Sequence, residues 1–236
     1  MGFDINVATE YDQWYRRPEG QYADAVEKEL FLRLVEPQEG QSLLEVGCGT
    51  GHNLDFFSGL GLEVAGIDPS RHMLELAARR LGPRVRLSRG QAEALSFDND
   101  SFDIVALITV LEFVSDPLEA LKEAARVAKV KVYLGVLNKA SILGIARRAK
   151  GRFRESIYNQ ARFYTMWEIE EMVTMVLGQV PLTWESALFF PLGWHRYCQR
   201  ADRLLSFRGN PFGAFLGICV ATEECLGGGH WIGKQS

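Results

Sequence analysis

Apolar residues follow two alternating patterns along the first two-thirds of the chain. Short apolar runs are separated by segments in which apolar positions recur every three or four residues, as on one face of a helix. The apolar runs predict strands at 42–46, 62–67, 84–88, 103–109 and 130–137. The segments between them predict helices that begin at 52, span 70–81 and span 117–128.

Strands joined by helices of this length form right-handed βαβ units. The chain is therefore predicted to have an α/β fold, Rossmann-like and doubly wound, with helices on both faces of a mainly parallel sheet. An amphipathic helix over 20–36 is predicted to precede the first strand. Downstream, the pattern predicts a helix that ends at Gly178, a strand near 180–188, a helix near 194–206 and a final strand in GAFLGICVAT.

The alternation is interrupted at residue 138. We interpret 138–165 as an insertion that forms a substrate cap within a single domain of residues 1–236, and residues 1–40 as an N-terminal lid and helix. The insertion carries a basic run at Arg147, Arg148, Lys150, Arg152 and Arg154. A solvated face is the main interpretation of this run, and an acidic substrate, an anionic membrane surface or RNA are the alternatives.

Composition narrows the class of protein. The 236 residues are 47% hydrophobic and 24% charged, which suits one folded domain, and the net charge of −4 gives no overall attraction to nucleic acid. The four cysteines lack the close paired spacing of a zinc site, so no metal is expected. The amino terminus lacks the apolar core of a signal peptide, and FDIVALITVLEFV is too short to span a bilayer. We therefore expect a cytoplasmic protein without a transmembrane segment.

The first predicted strand leads directly into a glycine-rich loop, LLEVGCGTGHN at residues 43–53. The loop after the first strand of an open parallel sheet is the usual ligand position. Its pattern is G-x-G-x-G, one residue shorter than the dinucleotide fingerprint G-x-G-x-x-G. The carboxylate of Glu45 would repel a pyrophosphate but favour a ligand with an ammonium or sulfonium charge. Alternatively, Glu45 caps backbone amides or points to solvent.

Asp68 ends the second apolar run, seventeen residues after Gly51. A carboxylate at this position can accept hydrogen bonds from both hydroxyls of a ribose. The alternative is that Asp68 caps the helix that begins near Ser70, and both roles can hold together.

With these motifs in order, the sequence resembles the class I S-adenosylmethionine-dependent methyltransferases, of the small-molecule branch that includes the ubiquinone and menaquinone C-methyltransferases. The resemblance covers roughly residues 41–137, where LLEVGCGTG, VAGIDPSRHMLELAARR and RGQAEALSFDNDSFDIVALITVLEFVSDP match the family's motifs. It implies a seven-stranded sheet whose last strand is antiparallel. It also implies S-adenosyl-L-methionine as cofactor and a small molecule as methyl acceptor.

Carried over by position, the resemblance implies a cofactor site of residues from four segments. Glu45, Gly47, Gly49 and Gly51, with Cys48 between them, would frame the methionine part of the cofactor. Asp68, followed by Pro69, would hold the ribose. The remaining expected contacts are Gln91, Ala92 and Glu93 at the adenine and Thr109 and Leu111 on the path to the methyl group.

Three positions depart from the family's pattern. Gln91 replaces a common aspartate, although its carbonyl can still accept from the adenine amino group. Phe113 stands where many relatives have histidine, which removes a candidate base. The usual Pro-Gly-Gly turn before the fifth strand is also missing.

The catalytic residues and the oligomeric state stay undetermined at this point. Tyr11, Trp14 and Tyr15 are candidates for covering the cofactor or substrate, or are packed as ordinary core aromatics. Glu112 lies near the expected methyl donor but is equally compatible with a solvated helix start, and His195 is an ordinary surface or packing residue on the simpler interpretation.

The sequence therefore predicts an enzyme that transfers a methyl group from S-adenosylmethionine to a small molecule by in-line displacement. Two other functions stay open: a non-catalytic S-adenosylmethionine-binding regulatory protein, and a dinucleotide-dependent oxidoreductase.

Overall fold

A computed structural model of the chain describes residues 5–141, 161–206 and 209–222. Its seven strands form one sheet in the order β3-β2-β1-β4-β5-β7-β6. β7 is antiparallel to its neighbours β5 and β6, and the other pairs are parallel. The strands are β1 (Ser42–Val46), β2 (Glu63–Asp68), β3 (Arg86–Arg89), β4 (Phe102–Ile108), β5 (Ala128–Leu137), β6 (Leu182–Ala187) and β7 (Phe215–Ala221). The predicted fold class, strand number and antiparallel last strand are confirmed.

The helices connect the strands as the periodicity predicts, with bounds that differ by a few residues. They are α1 (Ile5–Arg16), α2 (Pro18–Val35), α3 (His52–Gly59), α4 (Arg71–Leu81), α5 (Pro117–Val127), α6 (Met166–Leu177) and α7 (His195–Leu205). The aromatic residues of the α1 segment were recognised in the sequence, but no helix was predicted there.

Local side-chain chemistry explains several helix ends. The Ser70 side chain accepts from the Met73 amide at the start of α4, and the Asp116 carboxylate caps α5. α6 begins with a capping box between Thr165 and Glu168, in which each side chain bonds the other residue's amide. These caps fix where the helices begin after the loops that carry the ligand-binding candidates.

The core lies on both faces of the sheet because adjacent strand residues point in opposite directions. Leu44 and Val105 pack with the α5 and α6 side, whereas their neighbours Leu43 and Ile104 pack with the α2 side. All four side chains are fully buried. This double burial is why the central strands are continuous apolar runs in the sequence.

The carboxyl ends of β1, β2, β4 and β5 meet at one edge of the sheet. Of the interpreted insertion, the structure describes residues 138–141 and 161–165, and these two ends form a bridge between Asn138 and Tyr164. The basic run from Arg147 to Arg154 lies outside the described residues. The division into lid, domain and cap therefore stays a prediction.

Candidate functional site

The glycine loop folds tightly against the end of β2. The amides of Gly47 and Cys48 both donate to the Ile67 carbonyl, at 2.7 and 3.1 Å, and the Gly51 amide donates back to the Cys48 carbonyl at 2.9 Å. The backbone φ angles of Gly47, Gly49 and Gly51 are 70°, 52° and 75°, a left-handed conformation that side chains with a Cβ rarely adopt. The chain reversal therefore requires glycine at the alternating positions.

Close packing adds a second requirement at two of these glycines. A Cβ on Gly47 would lie 2.5 Å from a Val110 methyl carbon, and one on Gly51 would lie 2.8 Å from a Leu81 methyl carbon. A Cβ on Gly49 would lie at an ordinary 3.7 Å from the Tyr11 ring. The absence of a Cβ at Gly47 and Gly51 thus lets the loop pack closely against Val110 and Leu81. The Gly49 backbone faces Tyr11 of α1 at an ordinary contact distance.

Glu45 is buried in β1, with 2% of its surface exposed. Its Oε1 accepts from Asn53 Nδ2 at 2.8 Å, whereas its Oε2 has no hydrogen-bond partner among the residues that the structure describes. Burial raises the pKa of this carboxyl to about 8, against the lowering effect of the Asn53 hydrogen bond. Glu45 therefore neither points to solvent nor caps a helix. A buried carboxyl oxygen without a partner among the described residues is unusual and marks Glu45 as a candidate ligand-binding group.

Asp68 lies at the end of β2, 7% exposed, and connects two loops. Its Oδ2 accepts from the Gly49 amide at 2.9 Å and its Oδ1 from the Ser70 amide at 2.8 Å. Burial raises its pKa, and the two amide hydrogen bonds oppose that effect. Each carboxylate oxygen has a further lone pair, so Asp68 orders the glycine loop and can still accept from two hydroxyls. The cap of α4 itself is Ser70.

The predicted adenine segment forms a tight turn after β3. Gln91 is exposed, Ala92 is buried, and the Ala94 amide donates to the Gln91 carbonyl at 3.2 Å. The Glu93 carboxylate accepts from the Ser115 amide at 2.9 Å, which joins this turn to the loop after β4. Glu93 therefore has a structural partner, and the Gln91 side chain is accessible.

The neighbouring positions have backbone or core roles. The Pro69 carbonyl accepts from Arg89 Nε at 3.1 Å. Cys48 is buried against Leu54 and Ala77, and burial raises the pKa of its thiol, so this cysteine is packed rather than reactive. Thr109 has a positive φ of 55° directly after β4, and its amide donates to the Gly135 carbonyl at 2.7 Å.

Leu111 is a core residue, and its contact with the methyl path stays a prediction. Its side chain is 1% exposed and belongs to the core on the α5 and α6 side of the sheet. Its carbonyl accepts from the Tyr164 hydroxyl at 2.9 Å. Leu111 thus anchors the loop after β4 through the core packing of its side chain and the hydrogen bond of its carbonyl.

The helix α1 lies across the glycine loop. The Asp12 carboxylate accepts from the Thr50 hydroxyl at 2.7 Å, and both of its oxygens accept from Arg80 Nη2 at 2.8 Å. The Tyr15 ring stacks on His52 with ring centroids 4.0 Å apart. The aromatic amino-terminal segment is therefore attached to the loop through specific polar contacts as well as packing.

The roles of two residues in this region were not predicted from the sequence. Asn53, in the first turn of α3, donates to Glu45. It lies eight residues after Glu45 in the sequence, directly behind the glycine loop, and that position is what could have pointed to it. Glu112 is 2% exposed and lies in a turn ahead of α5, so it is not part of a solvated helix start. The side chain of His195 lies outside the described set.

A cleft away from the predicted site, a metal site and a membrane-spanning helix are the other features that we looked for in the described residues. An open cleft of about 1040 Å³ lies at the amino ends of the strands, between Ser42, Glu63, Arg86 and Phe102, and its lining includes none of the predicted site residues. Among residues 5–141, 161–206 and 209–222 there is no cluster of three potential metal ligands. In that same part of the chain, no helix is long and apolar enough to cross a membrane.

Comparison with known proteins identifies the same region. Residues 44–135 match the model of a methyltransferase domain family. A protein of uncharacterised function from Methanocaldococcus jannaschii is 32% identical over 168 residues, which cover 70% of this chain and 76% of that protein. The demethylmenaquinone methyltransferase of Renibacterium salmoninarum is 36% identical over 102 residues, 43% of either chain. Several other curated relatives are matched over only about half of their own length.

A solved structure extends the similarity over nearly the whole chain. A Thermotoga maritima protein described as an S-adenosylmethionine-dependent methyltransferase, and a possible histamine N-methyltransferase, superposes with a TM-score of 0.74 at 27% identity. The superposition covers 93% of this chain and 97% of that one. The glycine loop, the acid that ends β2, the sheet order and these relatives agree: the chain belongs to the class I S-adenosylmethionine-dependent methyltransferases.

Proposed function

We propose that the protein methylates a small-molecule acceptor, with the cofactor held between the glycine loop, the end of β2 and the turn after β3. The observation that carries this assignment is the unpartnered Oε2 of buried Glu45 beside the glycine loop. A buried carboxylate oxygen gains most from a cationic hydrogen-bond donor. S-adenosylmethionine carries both an ammonium and a sulfonium charge.

The described residues fit this cofactor. Glu45 would accept from the ammonium group, and the Gly49 backbone permits close approach of the methionine part. Asp68 would accept from the ribose hydroxyls through the lone pairs that the amides of Gly49 and Ser70 leave free. The exposed amide side chain of Gln91 and the Ala92 backbone would meet the adenine edge.

The bound cofactor supplies an electrophilic methyl group, and the residues of the chain align and shield it. Thr109 and the backbone of Leu111 would border the path between cofactor and acceptor, because both lie directly after β4. The helix α1, held by Asp12 and Tyr15, would exclude water from the glycine-loop side. Alignment and exclusion of water are the main demands of in-line methyl transfer. We assign no general base.

A small molecule is the acceptor class that the chain's own properties favour. The net charge of −4 gives no general attraction to nucleic acid. The named relatives support the same class, since one is a demethylmenaquinone methyltransferase and another a possible histamine N-methyltransferase. Demethylmenaquinone and histamine are therefore the first acceptors to try, one for carbon and one for nitrogen methylation.

Calorimetry with S-adenosylmethionine and S-adenosylhomocysteine tests the cofactor site. We expect Asp68→Ala to weaken binding by about 1–3 kcal/mol, because the ribose hydroxyls and the Gly49 amide lose their acceptor. Unchanged affinity would refute the ribose assignment. Binding of NAD without S-adenosylmethionine would instead support the oxidoreductase alternative.

Activity is tested with methyl-labelled S-adenosylmethionine. The label should appear in demethylmenaquinone, in histamine or in the small-molecule fraction of a cell extract, and Asp68→Ala should reduce its transfer. Tight cofactor binding with no labelled small molecule in any of these samples would instead favour a non-catalytic binding protein.

A further inference from the structure

Glu112 is a second buried glutamate at the carboxyl edge of the sheet, and it has no role in the cofactor site described above. It lies four residues after the end of β4 and is 2% exposed. Its Oε1 accepts from the Leu137 amide, at the end of β5, at 2.6 Å. Its Oε2 is buried without a hydrogen-bond partner among the described residues.

The backbone around Glu112 makes further links to the far end of the interpreted insertion. The Glu112 carbonyl accepts from the Arg162 amide at 2.9 Å, and the Leu111 carbonyl accepts from the Tyr164 hydroxyl at 2.9 Å. Side chain and backbone of this short turn therefore hold two separate segments. One is the end of β5, where the insertion begins, and the other is residues 161–165, where it returns.

Those two segments are also joined to each other. The Tyr164 amide donates to the Leu137 carbonyl at 3.1 Å, and the Lys139 amide donates to the Tyr164 carbonyl at 2.8 Å. The loop after β4, the end of β5 and residues 161–165 thus form one hydrogen-bonded unit, which we term the acceptor-side clasp. Glu112 contacts both other members of the clasp.

Fold stability alone does not account for a glutamate at this place. A carboxyl that is removed from water with one oxygen unpaired is costly, and an apolar residue of similar volume would fill the same space without that cost. The Leu137 amide, however, needs an acceptor in this buried position. The side chain thus serves the link between the loop and β5 at the expense of stability.

We propose that Glu112 is a positioning residue that holds the loop after β4, on which the methyl-transfer path depends, in fixed relation to both ends of the acceptor cap. The inference rests on the proposed function, because it takes residues 109–111 as the methyl path, and it takes residues 138–141 and 161–165 as the two ends of the predicted substrate cap. Loss of the Glu112 link should let the end of β5 and residues 161–165 shift against the loop after β4 while the glycine loop stays in place.

The test compares three variants in the full-length protein bound to S-adenosylhomocysteine. Glu112→Met keeps the volume and removes the acceptor of the Leu137 amide, whereas Glu112→Gln keeps a carbonyl that can accept. Glu185→Gln is the matched control, since Glu185 is a buried glutamate in β6 that pairs with Arg33, away from the glycine loop. Amide hydrogen exchange, calorimetry and label transfer to a serially diluted small-molecule extract are measured for each.

We expect Glu112→Met to accelerate exchange of the Leu137 and Arg162 amides by about tenfold, the scale of one lost hydrogen bond. Its S-adenosylhomocysteine affinity should stay within about twofold of wild type, because the glycine loop is untouched. The extract concentration for half-maximal transfer should rise about tenfold, with a smaller change in maximal rate. Glu112→Gln should restore most of both properties, and Glu185→Gln should match wild type.

Two results would overturn the proposal. One is wild-type amide exchange in Glu112→Met. The other is a loss of S-adenosylhomocysteine affinity as large as the loss of transfer, which indicates general destabilisation. If the wild-type protein binds S-adenosylhomocysteine but transfers no label, the proposed function fails instead, and amide exchange still decides the role of Glu112 in the clasp.

Discussion

Glu45 and Glu112 occupy similar environments on two sides of the same sheet edge, yet they have different partners. Each is buried, each has one carboxyl oxygen without a hydrogen-bond partner among the described residues, and burial raises the pKa of each to about 8. Glu45 bonds a side chain, Asn53, next to a glycine loop that is open to a ligand. Glu112 bonds the backbone of β5 inside the acceptor-side clasp. The comparison therefore distinguishes a carboxyl that we propose binds the cofactor from one that we propose links the loop after β4 to β5.

The largest effect should come from a substitution that distorts the glycine loop on the Glu45 side. Gly47→Ala places a Cβ against Val110 in a left-handed backbone conformation. We expect the free energy of unfolding to fall by about 2–4 kcal/mol and S-adenosylhomocysteine affinity to fall at least about 100-fold. Chemical denaturation and calorimetry measure the two quantities.

Gly40→Ala is the control for that experiment, because Gly40 has a φ of 83° but no described atom within 4 Å of the added Cβ. It should lose about 1 kcal/mol of stability through backbone strain and keep its cofactor affinity. Equal affinity losses in the two variants would show that the close approach at Gly47 is unimportant for the ligand.

Removing the charge of Glu45 should have the next largest effect. Glu45→Gln retains a carbonyl for Asn53 but cannot form the charged hydrogen bond with the cofactor's ammonium group. We expect about 10- to 50-fold weaker binding of S-adenosylmethionine by calorimetry. Glu112→Gln is the comparison, and an equal loss in that variant would contradict the division between the two sides.

The dependence of stability on pH should distinguish the two glutamates. Both carboxyls have folded-state pKa values near 8 against an ordinary 4.5, so the folded state holds their protons more tightly than the unfolded state does. Their contribution to stability is complete below pH 4.5 and is lost as the pH rises through 8. The loss should be about 2 kcal/mol or more for each group.

Denaturation at a series of pH values measures these contributions. Each Glu→Gln substitution should remove one of the two. Saturating S-adenosylhomocysteine should reduce only the Glu45 contribution, since its ammonium group stabilises that carboxylate. A ligand that reduces the Glu112 contribution instead would reverse the assignment.

The smallest effect should come from the attachment of α1. Asp12→Asn weakens the hydrogen bond from buried Thr50 and the partly exposed ion pair with Arg80. We expect S-adenosylhomocysteine to dissociate about threefold faster in stopped-flow measurements, the scale of a partly screened ion pair. Arg71→Ala, which removes an exposed ion pair with Glu75 on α4, should leave the rate unchanged. An unchanged rate in Asp12→Asn would show that α1 does not limit ligand release.

The Glu45 side was more predictable from the sequence than the Glu112 side for a physical reason. The glycine loop, Asp68 and the apolar strands are contiguous patterns, and each requires specific residue types at fixed spacing. The fold class and the place of Glu45 at the glycine loop could therefore be predicted from the sequence, whereas the burial of Glu45 could not. Asn53 could not be assigned in the same way, because its role depends on a hydrogen bond from α3 to the Glu45 carboxyl.

The acceptor-side clasp depends instead on contacts between distant positions. Glu112 meets Leu137 and Arg162, which lie 25 and 50 residues away, and no periodicity of the sequence relates Glu112 to either position. A single glutamate after an apolar run has no local feature that separates a solvated position from a buried one. The same absence of local pattern kept α1 from being predicted as a helix and left the acceptor open.

The central claim is that the unpartnered oxygen of Glu45 receives the positive charge of the cofactor. Calorimetry of S-adenosylhomocysteine binding at pH 7, in two buffers of different ionisation enthalpy, reports the protons released. Because burial raises the pKa of Glu45 to about 8, this carboxyl is mostly protonated at pH 7 before binding and becomes a carboxylate on pairing with the ammonium group. We expect release of most of one proton in wild type and of none in Glu45→Gln. Equal proton release by the two proteins would contradict the pairing of Glu45 with the ammonium group.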